Sequence, residues 1–374
     1  MANNNKHTGP NVPALRFPEF SGEWEKVLLS SACEINPKTG SLDNQFLYID
    51  LESVVKGSLV KRQIIEKDGA PSRAQRVLKE NDILYQCVRP YQLNNYIFEG
   101  DTIQCVASTG YAQLRTTQFP LYIFQALHTK QFTNQVLERC TGTNYPAINS
   151  SDLGTVEVPI CSLPEQVKIG SLLALIDSRI KTQSKIIEEL KTLRSALRYK
   201  LLHEMKVERM TKLGELCRIT TGKLDANAMV EGGGYPFFTC AEQVYEIDRY
   251  AFDTEALLVS GNGANLGHIH YYCGKFNAYQ RTYVLSDFSE DIQYLRQYLE
   301  AYLSKRIESK KNTGNTPYIV LGTLADMEIK LPRVPEQQRI AHDLSVLSQK
   351  IENEIHMFEL FIQEKKTLLG KMFI

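Results

Sequence analysis

Apolar residues recur at alternating spacings of four and three along two stretches of about 40 residues each. Eight of the ten repeat positions in each stretch are apolar, and polar residues fill the other two. A sustained period of 3.5 residues predicts a left-handed coiled coil. The positions are Ile169, Leu173, Ile176, Ile180, Gln183, Ile187, Leu190, Arg194, Leu197 and Leu201 in the first stretch, and Ile340, Leu344, Leu347, Ile351, Glu354, Phe358, Phe361, Lys365, Leu368 and Met372 in the second.

Each stretch belongs to a larger internal repeat. The segment EVPICSLPEQVKI at residues 157–169 recurs as EIKLPRVPEQQRI at residues 328–340, with an offset of 171. A loop of one type precedes each copy, TGTNYPAI from Thr141 and TGNTPYIV from Thr313. Pro164 and Pro335 suit the first turn of a helix, where an N–H group is not needed. The predicted order is therefore variable segment, long helix, variable segment, long helix.

An antiparallel pairing of the two helices within the chain explains their polar positions. If Arg194 faces Glu354, the same symmetry brings Gln183 opposite Lys365. A parallel homodimer would stack like charges on each other, which is unfavourable. The apolar pairs of this predicted register are Ile187 with Phe361 and Leu190 with Phe358. The alternative is two separate amphipathic helices, each packed on its own domain.

The two variable segments hardly resemble each other in sequence, yet both are typical of mixed α/β domains. In the first, QFLYIDLESV, DILYQCV, YIFEG and QCVAST are strand-like, whereas LYIFQALHTKQFTNQVLERC has a helical period. In the second, ALLVSGNGANLGHIHYY and NAYQRTYVL read as strands around a turn, and IQYLRQYLEAYLSKRIESKK reads as a helix. The predicted boundaries are an N-terminal tail (1–21), a first variable domain (22–163), a first helix (164–207), a second variable domain (208–334) and a second helix (335–374). The predicted fold class is α+β, with two α/β domains in a pseudo-twofold tandem repeat joined by two long antiparallel coiled-coil helices.

Composition narrows the class of protein only slightly. The chain has 374 residues, 43% of them hydrophobic, and equal numbers of basic and acidic side chains. It contains no apolar run long enough to span a membrane, and its first 17 residues lack the apolar segment of a secretory signal. The eight scattered cysteines form no CxxC pair and read as reduced thiols. We expect a soluble, cytoplasmic, multidomain protein with no membrane association.

The motifs of common catalytic sites are missing from the sequence. The loop SGNGANLG has the spacing GxGxxxG and precedes a strand-like run, so a tight turn is favoured over a phosphate cradle. There is no GxxxxGK[ST] motif and no Asn-Pro-Pro-aromatic tetrapeptide of amino-methyltransferases. His268 and His270 lie near Cys273 but lack a convincing fourth metal ligand. We therefore predict no catalytic residue, metal site or cofactor on this chain.

The combination of motifs resembles the specificity subunit of type I restriction–modification enzymes. The resemblance covers nearly the whole chain and is carried by the two Pro-Glu-Gln helices, each following a TG loop and a divergent α/β segment. Further matches are VPALRFPEFSGEWEK near the N-terminus, DILYQCVRP and ASTGY in the first variable domain, and GNGANLG and GKFNAYQRTYVL in the second.

The resemblance implies a DNA-binding subunit whose two target recognition domains each read one half of a bipartite, asymmetric sequence in double-stranded DNA. It implies that the paired helices act as a spacer and dock two methyltransferase (M) subunits, with restriction (R) subunits as further partners. Adenine-N6 methylation, DNA cleavage, S-adenosylmethionine, ATP and Mg²⁺ would then belong to the partner subunits. The alternatives are a coiled-coil adaptor that binds proteins, or a self-contained DNA methyltransferase.

Candidate base-contacting residues follow from the pairing of Arg or Lys with guanine and of Asn or Gln with adenine. The two variable segments carry nearly balanced charge, 13 basic against 12 acidic residues over 24–140 and 11 against 13 over 211–311. We therefore expect the methyltransferase subunits to supply much of the phosphate contact. The candidates are Arg73, Arg76, Arg89, Tyr91, Asn94, Asn95 and Arg115 in the first domain, and Lys223, Asn262, Asn265, His268, Lys275 and Arg281 in the second.

Overall fold

A computed structural model describes residues 11–142, 144–309 and 318–374 of the chain. The chain divides into two compact units. The first comprises the chain up to Ser184 together with His356–Ile374, and the second comprises Lys185–Ile355. Each long helix therefore contributes one part to each unit. Across the described ranges, none of the helices combines the length and apolarity that crossing a membrane requires.

The first unit contains short strands arranged in several sheets. Its strands are β1 (Glu25–Leu28), β2 (Cys33–Ile35), β3 (Gln45–Ile49), β4 (Val54–Val55), β5 (Ser58–Leu59), β6 (Gln63–Glu66), β7 (Ala74–Val77), β8 (Ile83–Gln86), β9 (Tyr96–Ile97), β10 (Cys105–Ser108), β11 (Tyr111–Thr116) and β12 (Glu157–Ile160). They form the sheets β6-β3-β10-β7, β2-β11-β8-β9, β1-β12 and β4-β5. The helices are α1 (Leu29–Ala32), α2 (Pro120–Ala126), α3 (Lys130–Arg139), α4 (Ser150–Gly154) and α5 (Leu163–Glu204), and 3₁₀ turns occur at Lys67–Gly69 and Pro90–Gln92.

The second unit has one larger sheet with the order β14-β19-β17-β18-β15-β16, besides the pair β13-β20. Its strands are β13 (Arg209–Lys212), β14 (Arg218–Thr221), β15 (Tyr235–Phe238), β16 (Tyr245–Ile247), β17 (Phe252–Ser260), β18 (Ile269–Ala278), β19 (Thr282–Ser286) and β20 (Glu328–Leu331). Its helices are α6 (Leu213–Leu216), α7 (Ile292–Ser309), α8 (Leu321–Ala325) and α9 (Val334–Met372), with a 3₁₀ turn at Ala226–Ala228. The mixed α/β character predicted for both segments is confirmed. The single helical period predicted before Cys140 is divided between α2 and α3.

The internal repeat is visible in equivalent buried contacts of the two units. Tyr122 of α2 and Tyr294 of α7 are both fully buried. The Tyr122 hydroxyl donates to the carbonyl of Pro159 at 2.8 Å, and the Tyr294 hydroxyl donates to the carbonyl of Lys330 at 2.5 Å. Pro159 and Lys330 are separated by the sequence offset of 171. The same strand therefore fixes the same helix in each copy of the scaffold.

The glutamine of each Pro-Glu-Gln motif connects the start of the long helix to the rest of its unit. Gln166 and Gln337 are each about 1% exposed. Each side-chain amide accepts from a backbone N–H near the start of α2 or α7 and donates to a carbonyl that precedes its own long helix. The partners are Phe119 N (3.1 Å) and Cys161 O (2.8 Å) for Gln166, and Asp291 N (3.3 Å) and Pro332 O (3.0 Å) for Gln337.

We predict that Gln166→Ala and Gln337→Ala each lower the free energy of unfolding by about 1–3 kcal/mol, because each leaves buried or partly buried backbone groups without this partner. Chemical denaturation of the full chain measures the loss. Gln338→Ala, which truncates an exposed neighbour, is the control and should change stability little. A loss for only one of the two glutamines would contradict their equivalence.

The predicted apolar face of each long helix is the covered face. All twenty repeat positions of α5 and α9 are buried or half-buried. In the first unit, the Lys365 Nζ atom donates to the Asp177 carboxylate at 2.5 Å. In the second unit, the Arg194 guanidinium donates to the Ser348 hydroxyl at 3.3 Å. Because Asp177 and Ser348 differ by 171, as do Arg194 and Lys365, the two contacts are equivalent.

The predicted pairs are Gln183 with Lys365 and Glu354 with Arg194, and this helix register stays a prediction. Asp177 and Ser348, which accept from Lys365 and Arg194, lie six residues before Gln183 and Glu354. A periodic apolar seam permits several alignments, so the repeat alone does not fix the register. The Asp177–Lys365 pair gains a charge-assisted hydrogen bond. The pairings of Ile187 with Phe361 and of Leu190 with Phe358 stay predictions.

A double-mutant cycle on Asp177 and Lys365 should give a coupling free energy of about 0.5–1.5 kcal/mol, because the pair is partly buried. The cycle uses Asp177→Asn, Lys365→Met and the double variant, with the free energy of unfolding as the readout. The exposed pair Lys185–Glu189 on the same helix is the control, and its coupling should stay within about 0.5 kcal/mol. Equal coupling in both cycles would argue against a specific role of Asp177 in holding the two helices together.

Candidate nucleic-acid interface

In the first unit, two loops meet beyond the end of β8. We call residues 87–95 loop 1. Val88 forms an isolated β-bridge with Ala147 of the TG loop, and the Ile148 N–H donates to the Cys87 carbonyl at 3.0 Å. The Arg89 N–H donates to the Pro146 carbonyl at 2.7 Å. The TG loop therefore fixes the backbone of loop 1.

Arg89 has a strained backbone. Its φ of 54° and ψ of 55° lie in the left-handed region, and Pro90 follows it. A residue before proline prefers extended backbone, and left-handed conformations of residues other than glycine cost on the order of 1 kcal/mol. The Arg89 guanidinium lies over the Tyr145 ring, 4.3 Å from its centroid, and Tyr145 is 64% exposed. Such strain persists at sites where the surrounding contacts enforce it, and these are often functional sites.

The second unit repeats the same backbone connections with different side chains. We call residues 261–268 loop 2. Asn262 bridges to Tyr318, and the Ile319 N–H donates to the Gly261 carbonyl at 3.0 Å. These contacts make Gly261 equivalent to Cys87, and Gly263 equivalent to Arg89. Gly263 also has a positive φ, of 81°, which glycine adopts without cost.

Two further segments of the second unit contact loop 2. The Gly261 N–H donates to the Arg281 carbonyl at 2.9 Å, and the Asn265 side-chain amide donates to the Cys240 carbonyl at 3.2 Å. The turn before β19 also contacts the segment after β14, through the Gln280 N–H and the Leu224 carbonyl at 2.8 Å. Loop 2 is a turn that leads into β18, as the sequence analysis favoured. The exposed cations at this end of the sheet include Lys223 and Arg281.

Most of the candidate residues of the first unit lie in or near loop 1. Tyr91 is 49% exposed there, and the Asn94 Oδ1 atom accepts from the Lys56 N–H at 3.0 Å. Arg73 is exposed, and its carbonyl accepts from the Thr109 N–H in the turn beside Cys87. Arg76 is half-buried on β7, and burial lowers the pKa of its guanidinium.

Two candidates of the first unit, Asn95 and Arg115, form hydrogen bonds inside the protein. Asn95 is 1% exposed, and its Oδ1 atom accepts from the Gln86 N–H at 2.9 Å. Arg115 forms two hydrogen bonds of 2.8 and 2.7 Å with the buried Asp82 carboxylate. These internal hydrogen bonds satisfy a buried amide and a buried carboxylate, which need such partners, and base contact by Asn95 and Arg115 stays a prediction.

In the second unit, Lys275 is the candidate that lies apart from loop 2. Its Nζ atom lies 4.8 Å from the Tyr250 ring centroid, toward the other end of β18. Asn262, Asn265 and His268 belong to loop 2 itself. The residue that sequence reasoning missed is Tyr145, and the signal for it was the recurring TG loop.

The candidate metal ligands do not assemble into a cluster in the described parts of the chain. The His268 and His270 rings are 4.5 Å apart, and the His270 Nε2 atom lies 3.0 Å from the Ala241 carbonyl. Across those parts of the chain, groups of three or more His, Cys, Asp or Glu residues placed to hold a metal ion are absent.

His128 lies next to Asn95 of loop 1, and its imidazole ring is neutral. Its Nδ1–H donates to the Phe124 carbonyl at 2.6 Å, and its Nε2 atom lies 3.4 Å from the Asn95 amide nitrogen. Burial lowers the pKa of His128 to about 4, and the positive charge of Lys365 acts in the same direction, opposed by Asp177. The neutral imidazole can therefore accept from Asn95 while it donates to the helix.

This depressed pKa predicts that the chain loses stability as the pH falls from about 6.5 to about 4. Unfolded histidine titrates near pH 6.5, so the unfolded state binds the extra proton first and is favoured by acid. We expect a loss of about 1–2 kcal/mol between pH 7 and pH 5. His128→Asn, whose amide can still donate to Phe124, should flatten this dependence in denaturation experiments. The exposed His356→Asn is the control, and an equal effect of both variants would contradict the prediction.

The geometry of two equivalent, divergent loops on a duplicated scaffold agrees with the comparison against protein families. The model for the type I restriction modification DNA specificity domain matches twice, over residues 21–192 and 206–357. The chain belongs to the type I restriction–modification DNA specificity family. Specificity subunits of this family are generally non-catalytic.

Similar proteins carry the same description. The chain is 46% identical over 143 residues to the type I restriction enzyme EcoDI specificity subunit of Escherichia coli, a match that covers 38% of this chain and 31% of that protein. A crystal structure of a type I restriction–modification S subunit from Mycoplasma genitalium has a TM-score of 0.70, with 18% identity over 97% of this chain and 99% of the other. A chain from a study of complex assembly and conformational transition of the type I system has a TM-score of 0.55, with 21% identity over 93% and 97% of the two chains. These solved structures share the fold.

Proposed function

We propose that this specificity subunit recognises a bipartite, asymmetric sequence in double-stranded DNA, and that each unit reads one half of it. The observation that carries the proposal is the equivalence of loop 1 and loop 2. Their backbones are fixed by the same hydrogen bonds, whereas their side chains differ completely. Two loops that share a backbone arrangement but carry different side chains are suited to recognise two different DNA sequences.

The side chains in these loops have the chemistry that base recognition needs. Arg89 offers a planar donor fork, which matches the two acceptors of guanine in the major groove. Asn94, Asn262 and Asn265 offer amides of the kind that pair with adenine. Lys223 and Arg281, which are exposed beside loop 2, can contact guanine or hold a phosphate.

The long helices have a surface suited to two copies of one partner. Large apolar side chains are exposed at equivalent positions of α5 and α9, separated by the offset of 171. They are Leu163 (55% exposed) with Val334 (52%), and Leu175 (61%) with Val346 (56%). Repeated apolar positions on a duplicated helix favour two identical subunits over two different ones. We assign this surface to two adenine-N6 methyltransferase subunits, and the paired helices to the spacer that separates the half-sites.

In this assignment the chemistry belongs to the partner subunits. S-adenosylmethionine would bind to the methyltransferase subunits, and ATP and Mg²⁺ would serve restriction subunits where these join the complex. The site of action would be the cytoplasm, where bacterial DNA is found.

The experiment co-expresses the chain with its methyltransferase subunit in a host that lacks adenine methylation, and maps methylated adenines by sequencing. We expect one motif with two specified halves and a fixed gap. Arg281→Ala should relax or weaken recognition of one half only, because Arg281 lies beside loop 2. Lys275→Ala, which removes another exposed cation of the same unit, is the matched control and should leave the motif unchanged.

The other readings predict different outcomes. Co-purification without any bipartite methylation would favour a protein-binding adaptor. Binding of S-adenosylmethionine by the chain alone would favour a self-contained methyltransferase. Equal loss at both halves for Arg281→Ala would contradict separate reading by the two units.

A further inference from the structure

Arg89 in loop 1 and Gly263 in loop 2 occupy equivalent positions of the two units. The two loops share the same backbone frame, since Ile148 bonds to Cys87 as Ile319 bonds to Gly261. Both Arg89 and Gly263 have left-handed backbone, with φ values of 54° and 81°. Glycine adopts this conformation freely, whereas arginine before proline does not. The scaffold thus has a position suited to glycine, and the first unit places a long cationic side chain there.

The Arg89 guanidinium lies over an aromatic ring, and its N–H groups are not used in internal hydrogen bonds among the described residues. Its guanidinium lies 4.3 Å from the centroid of the Tyr145 ring. Among the described residues, hydrogen bonds and ion pairs to this guanidinium are absent. Stacking on an aromatic face leaves the N–H groups at the edge of the plane free to donate. Arg115 of the same unit differs, because its guanidinium donates two hydrogen bonds to the Asp82 carboxylate and therefore has a structural role.

We propose that Arg89, held by Tyr145, forms a guanine-reading site in the first unit, with the guanidinium donating to O6 and N7 of one guanine in the major groove. This inference rests on the proposed function and specifies the base, guanine, and the two residues that form its site, Arg89 and Tyr145. Bidentate recognition of a base edge needs an oriented guanidinium plane, whereas a phosphate contact needs only a charge within reach. The backbone strain at Arg89 has the same explanation, because it directs the side chain to this place.

The test uses the complete complex with its methyltransferase subunit, and a panel of duplexes that contain the mapped motif. Each guanine of the two halves is replaced in turn by 7-deazaguanine, which lacks the N7 acceptor, and the methylation rate is measured. With the wild-type chain, one guanine of one half should lose roughly tenfold or more on replacement. With Arg89→Gly, the same replacement should have no further effect, because the partner of N7 is gone.

Two further variants separate base reading from charge and from folding. Arg89→Lys keeps the charge but lacks the fork, and should lose the discrimination as Arg89→Gly does. Tyr145→Phe keeps the ring and should retain it, whereas Tyr145→Ala should reduce it. Thermal unfolding of Arg89→Gly should occur at the wild-type temperature or above, because glycine relieves the strained backbone.

The proposal is overturned by any of three results. Arg89→Lys could retain wild-type discrimination, which would indicate a phosphate contact. The 7-deazaguanine effect could be equal for the wild type and Arg89→Gly, or Arg89→Gly could lower the unfolding temperature, which would indicate a structural role. A wild-type complex that methylates no bipartite motif would instead refute the proposed function itself.

Discussion

The structure depends on the buried glutamine at the start of each long helix. Gln166 and Gln337 each accept from a backbone N–H just before a shorter helix and donate to a carbonyl just after the preceding strand. These backbone groups are buried or partly buried, so loss of the side chain leaves them poorly satisfied. Since the long helix, the strand pair and the shorter helix all meet there, the same joint reproduces the same scaffold twice in one chain.

This shared joint leaves the loops free to diverge. Loop 1 and loop 2 are fixed by equivalent backbone hydrogen bonds, which place no demand on side-chain identity. Arg89 and Gly263 can therefore occupy equivalent positions with the same left-handed backbone. The position carries a cationic side chain and a strained backbone in the first unit, and neither in the second. The cost of the strain is small compared with the stability that the duplicated scaffold supplies. Recognition chemistry can change in such a frame while the fold is kept.

The helices show how far a repeating pattern constrains a pairing. The heptad positions identified the covered face correctly, because burial of apolar side chains depends on the period alone. The period does not contain the polar contacts, such as the one in which Lys365 donates to Asp177. A periodic seam has several nearly equivalent alignments, so the period alone does not fix the register.

By itself, the sequence determined the duplication, the two long helices, the α/β character of the variable segments and the family, since periodicity and repeated motifs are local properties of the chain. Only the tertiary structure decided which candidate side chains are available. Asn95 and Arg115 have the residue types that contact bases, yet internal partners occupy them. Tyr145 came to lie under Arg89 through a contact between residues 56 positions apart. Availability depends on which groups folding brings together and buries, and residue type alone does not contain that information.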